Sequence, residues 1–106
     1  MNFTQTISFH SDEPETLIEL VTNWDEMQAD LDVMGYTGSR LLADRDEPGK
    51  YVMVVTFGMV DPDVSAYEEA MKNNERPETQ EIADRFRAAS AEEPVWNNYD
   101  EVYRAY

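Results

Sequence analysis

The chain has 106 residues, of which 42% are hydrophobic and 11% aromatic, a composition typical of one globular domain and not of a disordered segment, so we treat 1–106 as a single domain. Its 23 acidic and 8 basic residues give a formal net charge of −15, which argues against nucleic acids and anionic membranes as partners. It has no cysteine, which excludes disulfides, thiol catalysis and thiolate metal sites, and this fits a cytoplasmic location.

The first third of the chain predicts a strand followed by a helix. Residues 3–10 alternate, with Phe3, Ile7 and Phe9 on one face and polar side chains on the other, which is the pattern of a half-buried strand. Short polar side chains, Pro14 and acidic neighbours over 11–15 are typical of a helix start. Apolar residues then recur at spacings of three and four, and Gly35 predicts the helix end.

The rest of the chain predicts three more strands and an interrupted helix. Strands are expected at 36–44 and 51–57, joined by a turn at 46–49, and the second is apolar on both faces, as in a central strand. A helix is expected to start at 61–63, to break at 73–77 because a proline cannot occupy a helix interior, and to restart near Pro77. Pro94 ends it, and 95–106 predicts an aromatic-rich last strand.

This order of elements predicts an α+β fold, a ferredoxin-like βαββαβ unit with an antiparallel sheet. A short internal repeat supports it, because residues 8–15 align without gaps on 56–63, and both stretches are strand-to-helix junctions. The repeat places Val55 and Phe57 in correspondence with Ile7 and Phe9, so all four should face the helices.

The opposite face of the predicted sheet has no partner within the chain. It carries Val52 and Val54 among polar residues such as Thr6 and Ser8, and apolar side chains on a sheet face should not stay in water. A second copy of the sheet is the simplest cover, and a twofold pair is the commonest assembly. We therefore predict a homodimer with its sheets packed face to face.

Over nearly its whole length the chain resembles the dimeric α/β-barrel proteins, and within them the antibiotic biosynthesis monooxygenase superfamily, most closely some small actinobacterial-type members. The segments that carry the resemblance are Ser8-Phe9, Asn23-Trp24-Asp25, the hairpin over 40–51, the strand over 54–57, Tyr67-Glu68-Glu69-Ala70-Met71 and Arg76-Pro77-Glu78-Thr79. The resemblance implies a dimeric α/β barrel. It also implies one of two activities known in the family: cofactor-independent oxygenation of polycyclic aromatics, or haem degradation.

The haem-degrading branch of that family has an Asn in strand one, a Trp after strand three and a His in the second helix. This chain lacks all three, since its one histidine is His10 and Phe57-Gly58-Met59 follows the third strand. We therefore expect no cofactor. Asp12 lies near His10, but two ligands do not form a metal site, and no metal is predicted.

Three polar residues are candidates for catalysis. His10 is the one histidine of the chain and is a candidate general base; the alternative is a polar residue at a barrel mouth. Tyr51 flanks the predicted hairpin, and Asn98 lies on an otherwise aromatic strand, where a buried amide needs a partner. Five aromatic residues are candidates for lining a substrate pocket between sheet and helices, with plain core packing as the alternative: Trp24, Tyr36, Tyr67, Phe86 and Trp96.

The sequence leaves the function open between three hypotheses. The first is a monooxygenase in which oxygen reacts with a substrate carbanion inside a small-molecule pocket, the ligand being apolar or aromatic. The second is a homodimer that binds or senses such a ligand without turning it over. The third is an isomerase or dehalogenase-like enzyme that moves protons and needs no oxygen.

Overall fold

The computed structural model describes residues 2–31, 35–59 and 63–105. Within these residues four strands and three helices follow one another along the chain: β1 (Phe3–His10), α1 (Pro14–Asp30), β2 (Tyr36–Ala43), β3 (Lys50–Phe57), α2 (Ala66–Asn74), α3 (Pro77–Ala89) and β4 (Val95–Asp100). None of these helices is long and apolar enough to cross a bilayer.

The strands form one antiparallel sheet in the order β2-β3-β1-β4. This is the ferredoxin-like arrangement, so the predicted fold class is confirmed. The central positions of β1 and β3 agree with the apolar sequence of β3. The sheet is open, with β2 and β4 as its edges, so a single chain does not form a closed barrel.

The side of the sheet that faces the helices holds the core. Ile7 and Phe9 of β1 and Val55 and Phe57 of β3 are all buried there, which confirms the faces predicted from the internal repeat. The helices contribute further buried apolar residues, and the ring of Phe86 in α3 stacks on Phe9 with the centroids 5.6 Å apart.

We call the other side the outer face, and it is defined by rows of paired residues that cross all four strands. These rows are Leu42-Val52-Ser8-Val95, Arg40-Val54-Thr6-Asn97 and Gly38-Thr56-Thr4-Tyr99. None of these residues is buried; they are half-buried or exposed, and no described helix covers them. The absence of a cover within the chain agrees with the sequence-based argument.

Two helix starts differ from the prediction. The residue before α1 is Glu13, which makes no side-chain cap, and the Ser11 hydroxyl instead accepts a hydrogen bond from the Glu13 amide. Helix α2 starts at Ala66 and not at 61–63, because Ser65 accepts a hydrogen bond from the Glu68 amide and so caps the helix. Residues 61 and 62 of the predicted start, and residues 60–62 of the internal repeat, lie outside the described residues.

The predicted helix break is confirmed, since α2 ends at Asn74 and Pro77 opens α3. The last strand is shorter than predicted. It ends at Asp100 because its partner β1 begins at Phe3, the residue paired with Asp100, so the chain beyond has no strand to pair with. Val102 and Tyr103 in this final segment are 86% and 81% exposed. Helix α1 ends at Asp30, and residues 32–34, before the predicted stop at Gly35, are not among those described.

Candidate functional site

A cavity of about 360 Å³ lies between the sheet and the helices, a volume within the range of small-molecule sites. The sheet forms the floor of the cavity. Its walls are formed by α1, by α3 and by the end of α2. The lining residues are Gln5, Ile7, Trp24, Met53, Asn74, Thr79, Gln80, Ala83, Phe86, Arg87 and Trp96. Gln80 and Arg87 are exposed, so the cavity opens to solvent beside them.

The described lining is mostly aromatic, aliphatic and amide in character, with the Thr79 hydroxyl and the Arg87 guanidinium in addition. The chain has two tryptophans, and both line the cavity. Among the described lining residues there is no histidine, carboxylate, lysine, cysteine or tyrosine, so none of these residues exchanges a proton near neutral pH. These side chains can therefore bind, orient and desolvate a flat apolar ligand, but none of those described is a general base.

The charged group in the lining is Arg87, whose guanidinium lies 5.9 Å from the centre of the Trp96 ring. Two carboxylates hold it there: Arg87 Nη1 donates to Asp84 Oδ1 at 2.9 Å, and Arg87 Nε donates to Glu93 Oε1 at 3.3 Å. Such exposed ion pairs contribute little to stability, but they fix the guanidinium over the indole at the open side of the cavity.

A pair of amides forms part of the floor. Gln5 is buried on the inner side of β1, and its Nε2 donates to Oδ1 of Asn98 at 3.0 Å. Asn98 is itself exposed and does not line the cavity, so it acts on the cavity only through Gln5. The sequence signal for Gln5 was a glutamine aligned with Phe3 and Ile7 on the buried face of the strand, and Gln5 was not among the predicted site residues.

Of the five aromatic pocket candidates, the structure brings Trp24, Phe86 and Trp96 together around the cavity. Tyr67 lies elsewhere, with its ring edge-on to Phe3 at 5.3 Å and 44% of its surface exposed. Tyr36 also lies elsewhere and packs edge-on against Phe57. Sequence periodicity did not select Thr79, Ala83 and Arg87 as lining residues, because their pattern is that of ordinary helix residues.

The three catalytic candidates are not brought together. His10 ends β1 in line with the outer face, and its Nε2 lies 3.0 Å from Oε2 of the exposed Glu47 in the turn before β3. Tyr51 is half-buried on the inner face, next to Phe9 in the sheet register. Neither residue lines the cavity, so catalytic roles for His10, Tyr51 and Asn98 remain predictions. Among the described residues no cluster of three potential ligands could hold a metal ion.

Tyr36 forms a polar bridge between α1 and β2. Its hydroxyl donates to Oδ1 of Asp25 at 2.6 Å and accepts from the Ser39 hydroxyl at 2.8 Å. Burial, and then the hydrogen bond to Asp25, raise the pKa of Tyr36 well above its ordinary value. The folded state therefore favours the neutral phenol more strongly than the unfolded state does.

This pKa shift predicts a loss of stability at alkaline pH. Because the folded-state pKa of Tyr36 is raised, its contribution is complete below about pH 10, the unfolded value, and is lost as the pH rises toward the folded value. Tyr36→Phe should lower the free energy of unfolding by about 1 kcal/mol at pH 7, and this difference should shrink above about pH 10. Urea unfolding of both proteins from pH 7 to pH 11 measures it; a difference independent of pH would contradict the prediction.

Comparison with known proteins identifies the fold. No protein-family model and no curated protein sequence matches the chain. Among solved structures, a protein from Nitrosomonas europaea assigned to the antibiotic biosynthesis monooxygenases superposes with a TM-score of 0.73 at 15% identity, over 96% of this chain and 91% of the other. The chain shares the fold of this protein. The predicted resemblance is thus confirmed at the level of fold.

Further structures with this monooxygenase fold give the same result. SnoaB, a cofactor-independent oxygenase from Streptomyces nogalater, superposes with a TM-score of 0.70 at 19% identity, over 97% of this chain and 95% of SnoaB. A Deinococcus radiodurans protein assigned to the same monooxygenases gives 0.72 at 11% identity, over 100% of this chain and 97% of that one. At such identities the monooxygenase fold is shared, whereas the chemistry has to be argued from the site.

Proposed function

We propose that this protein binds an aromatic or polyketide-like small molecule in the cavity between sheet and helices and oxygenates it without a cofactor, as a monooxygenase of the antibiotic biosynthesis type. The observation that carries the proposal is the cavity itself, a space of about 360 Å³ with Trp24, Phe86 and Trp96 in its lining. Aromatic walls favour a flat apolar ligand through offset and edge contacts. The shared fold with a cofactor-independent oxygenase supports the reaction type.

The lining defines what the protein can contribute to such a reaction. A substrate CH₂ group flanked by carbonyl or aromatic groups loses a proton and leaves a carbanion. The carbanion gives electrons to molecular oxygen and forms a carbon–oxygen bond with it. The resulting peroxide loses water, so that CH₂ and O₂ become C=O and H₂O. Because none of the described lining side chains takes up a proton near neutral pH, we expect a substrate acidic enough to give its proton to water at the open side. The cavity contributes orientation and exclusion of bulk water.

The absence of a base from the lining favours a second candidate, which is ligand binding without turnover. The two tryptophans make the distinction measurable, because every tryptophan signal comes from the cavity wall. We expect 9-anthrone to change tryptophan fluorescence at micromolar concentration, and oxygen uptake with conversion to anthraquinone to exceed the background autoxidation. Binding without extra oxygen uptake would favour the binding protein. No binding of anthrone or other tricyclic aromatics would refute both candidates.

We further propose that the protein is a homodimer joined through its outer face. Although the chain carries 23 acidic residues, none of the strand residues on the outer face is an aspartate or glutamate. Two copies of the chain, each with a net charge of −15, repel one another in most orientations. This repulsion is weakest where the facing surfaces carry no acidic residue. Leu42, Val52, Val54 and Val95 give that surface apolar area to bury, which supports a twofold pair of sheets.

A further inference from the structure

Four buried polar side-chain atoms have no hydrogen-bond partner among the residues that the structure describes. They are Nε1 of Trp24, Nε2 and Oε1 of Gln28, and Nδ2 of Asn73. Gln28 and Asn73 are each 1% exposed and Trp24 is 6% exposed, so water does not reach these groups from the surface. Buried polar atoms in folded proteins are nearly always paired, and four unpaired atoms on three residues therefore require an explanation.

The fold places these three residues on two sides of the cavity, Trp24 and Gln28 on α1 and Asn73 on α2. Trp24 and Gln28 are four residues apart on α1, so their side chains lie on the same helix face, and the indole of Trp24 lines the cavity. On the opposite wall Asn73 accepts a hydrogen bond from the Thr79 hydroxyl at 3.4 Å, and Thr79 and the neighbouring Asn74 both line the cavity. Each of the three residues therefore either lines the cavity or neighbours a residue that lines it.

The stability of the protein without a ligand does not explain why a glutamine occupies buried position 28. An amide buried without a partner destabilises a fold, and methionine would occupy the same place without that loss. The three nitrogens are donors, while Oε1 of Gln28 is the single acceptor. A group that satisfies the set has to bring mainly acceptor oxygens. An aromatic hydrocarbon cannot do this, whereas a ring ketone or a phenolate can.

We propose that Gln28, Trp24 and Asn73 form a polar subsite of the cavity that receives an acceptor oxygen of the ligand. Gln28 reaches it by rotation of its flexible side chain, which turns the amide from behind the wall toward the ligand. The ligand class is then an aromatic ring system that carries a carbonyl or phenolate oxygen on the edge that enters first. This inference deepens the proposed function and depends on it, because it requires that the cavity binds aromatic molecules.

The test compares two probes of matched shape, 1-tetralone and tetralin, which differ by a carbonyl in place of a methylene. We expect the wild-type protein to bind 1-tetralone about tenfold more tightly than tetralin, as measured by calorimetry. In Gln28→Met the preference should fall to within about twofold, because the affinity for 1-tetralone decreases while that for tetralin is unchanged. Trp24→Phe, which removes the indole N–H and keeps an aromatic ring, should also reduce the preference.

Folding is checked independently. Gln28→Met should melt about 4 °C or more above the wild type, because the unpaired amide is gone. Asn23→Met, an amide replacement on the same helix outside the cavity lining, should leave the preference at its wild-type value. A wild-type protein that binds both probes equally, or a Gln28→Met variant that keeps the full preference, would overturn the subsite and leave the proposed cavity function standing. If neither probe binds, the subsite fails, and if 9-anthrone does not bind either, the proposed function fails as well.

Discussion

Ala83→Phe is expected to abolish ligand binding while making the protein more stable. Ala83 lies on α3 and lines the cavity, so a phenyl ring at this position occupies the space that the ligand would use. We expect the affinity for aromatic ligands to fall at least about 100-fold, a loss of about 2.7 kcal/mol or more. Filling a cavity in an otherwise intact core stabilises a fold by about 0.5–2 kcal/mol, so the melting temperature should rise. Calorimetric titration with 9-anthrone and thermal unfolding measure the two quantities.

The opposite signs of these two effects separate a blocked cavity from a damaged fold. Ala88→Phe is the matched control, since Ala88 is an exposed residue of the same helix and does not line the cavity. It should change neither the affinity nor, by more than about 0.5 kcal/mol, the stability. Undiminished anthrone binding by Ala83→Phe would show that the ligand binds elsewhere, and the proposed site would have to be abandoned.

Val54→Asp is expected to convert the proposed homodimer into folded monomers. Val54 lies in the middle row of the outer face, between Arg40 and Thr6 in the sheet register. In a twofold assembly the new carboxylate and the neighbouring Arg40 are taken out of water in each chain, and this desolvation costs several kcal/mol even for a charge that has a partner. In the isolated chain Val54 is only half-buried, so the substitution should cost about 1 kcal/mol of folding stability.

Mass and fold are measured separately in this experiment. Native mass spectrometry or light scattering should give twice 12.3 kDa for the wild type and 12.3 kDa for Val54→Asp, with unchanged far-ultraviolet circular dichroism. Ile18→Asp is the control, because Ile18 is 57% exposed on α1 and lies away from the outer face. It should keep the dimer mass. A monomeric wild type at micromolar concentration, or a Val54→Asp protein that stays dimeric, would refute the outer face as the interface.

The fold followed closely from local patterns in the sequence. Alternation in β1 placed Phe3, Ile7 and Phe9 on the buried face, and it did so because successive side chains of a strand point to opposite sides of the sheet. Pro77 located the helix break for an equally local reason, since proline lacks the amide proton that a helix interior uses. The limit of β4 was not local: it ends at Asp100 because β1 has no residue left to pair with.

The candidate site was predictable only in part. Trp24, Phe86 and Trp96 were selected as large aromatics, and these three line the cavity, whereas Tyr36 and Tyr67 have the same composition signal and pack at other places. An aromatic side chain on an apolar stripe faces the interior, but periodicity does not say whether it meets another side chain or an empty space. That depends on how the elements fit together.

The sequence by itself determined the order of the elements, the buried face of each strand, the break between α2 and α3 and the uncovered outer face. These properties depend on residues a few positions apart, whose backbone preferences and side-chain directions are fixed locally. Only the tertiary structure decided that both tryptophans share one cavity, that Gln5 is bonded to Asn98, and that Gln28 is buried without a partner. Each of these depends on how closely side chains distant in the chain fill the space between sheet and helices, and packing of that kind leaves no periodic signal in the sequence.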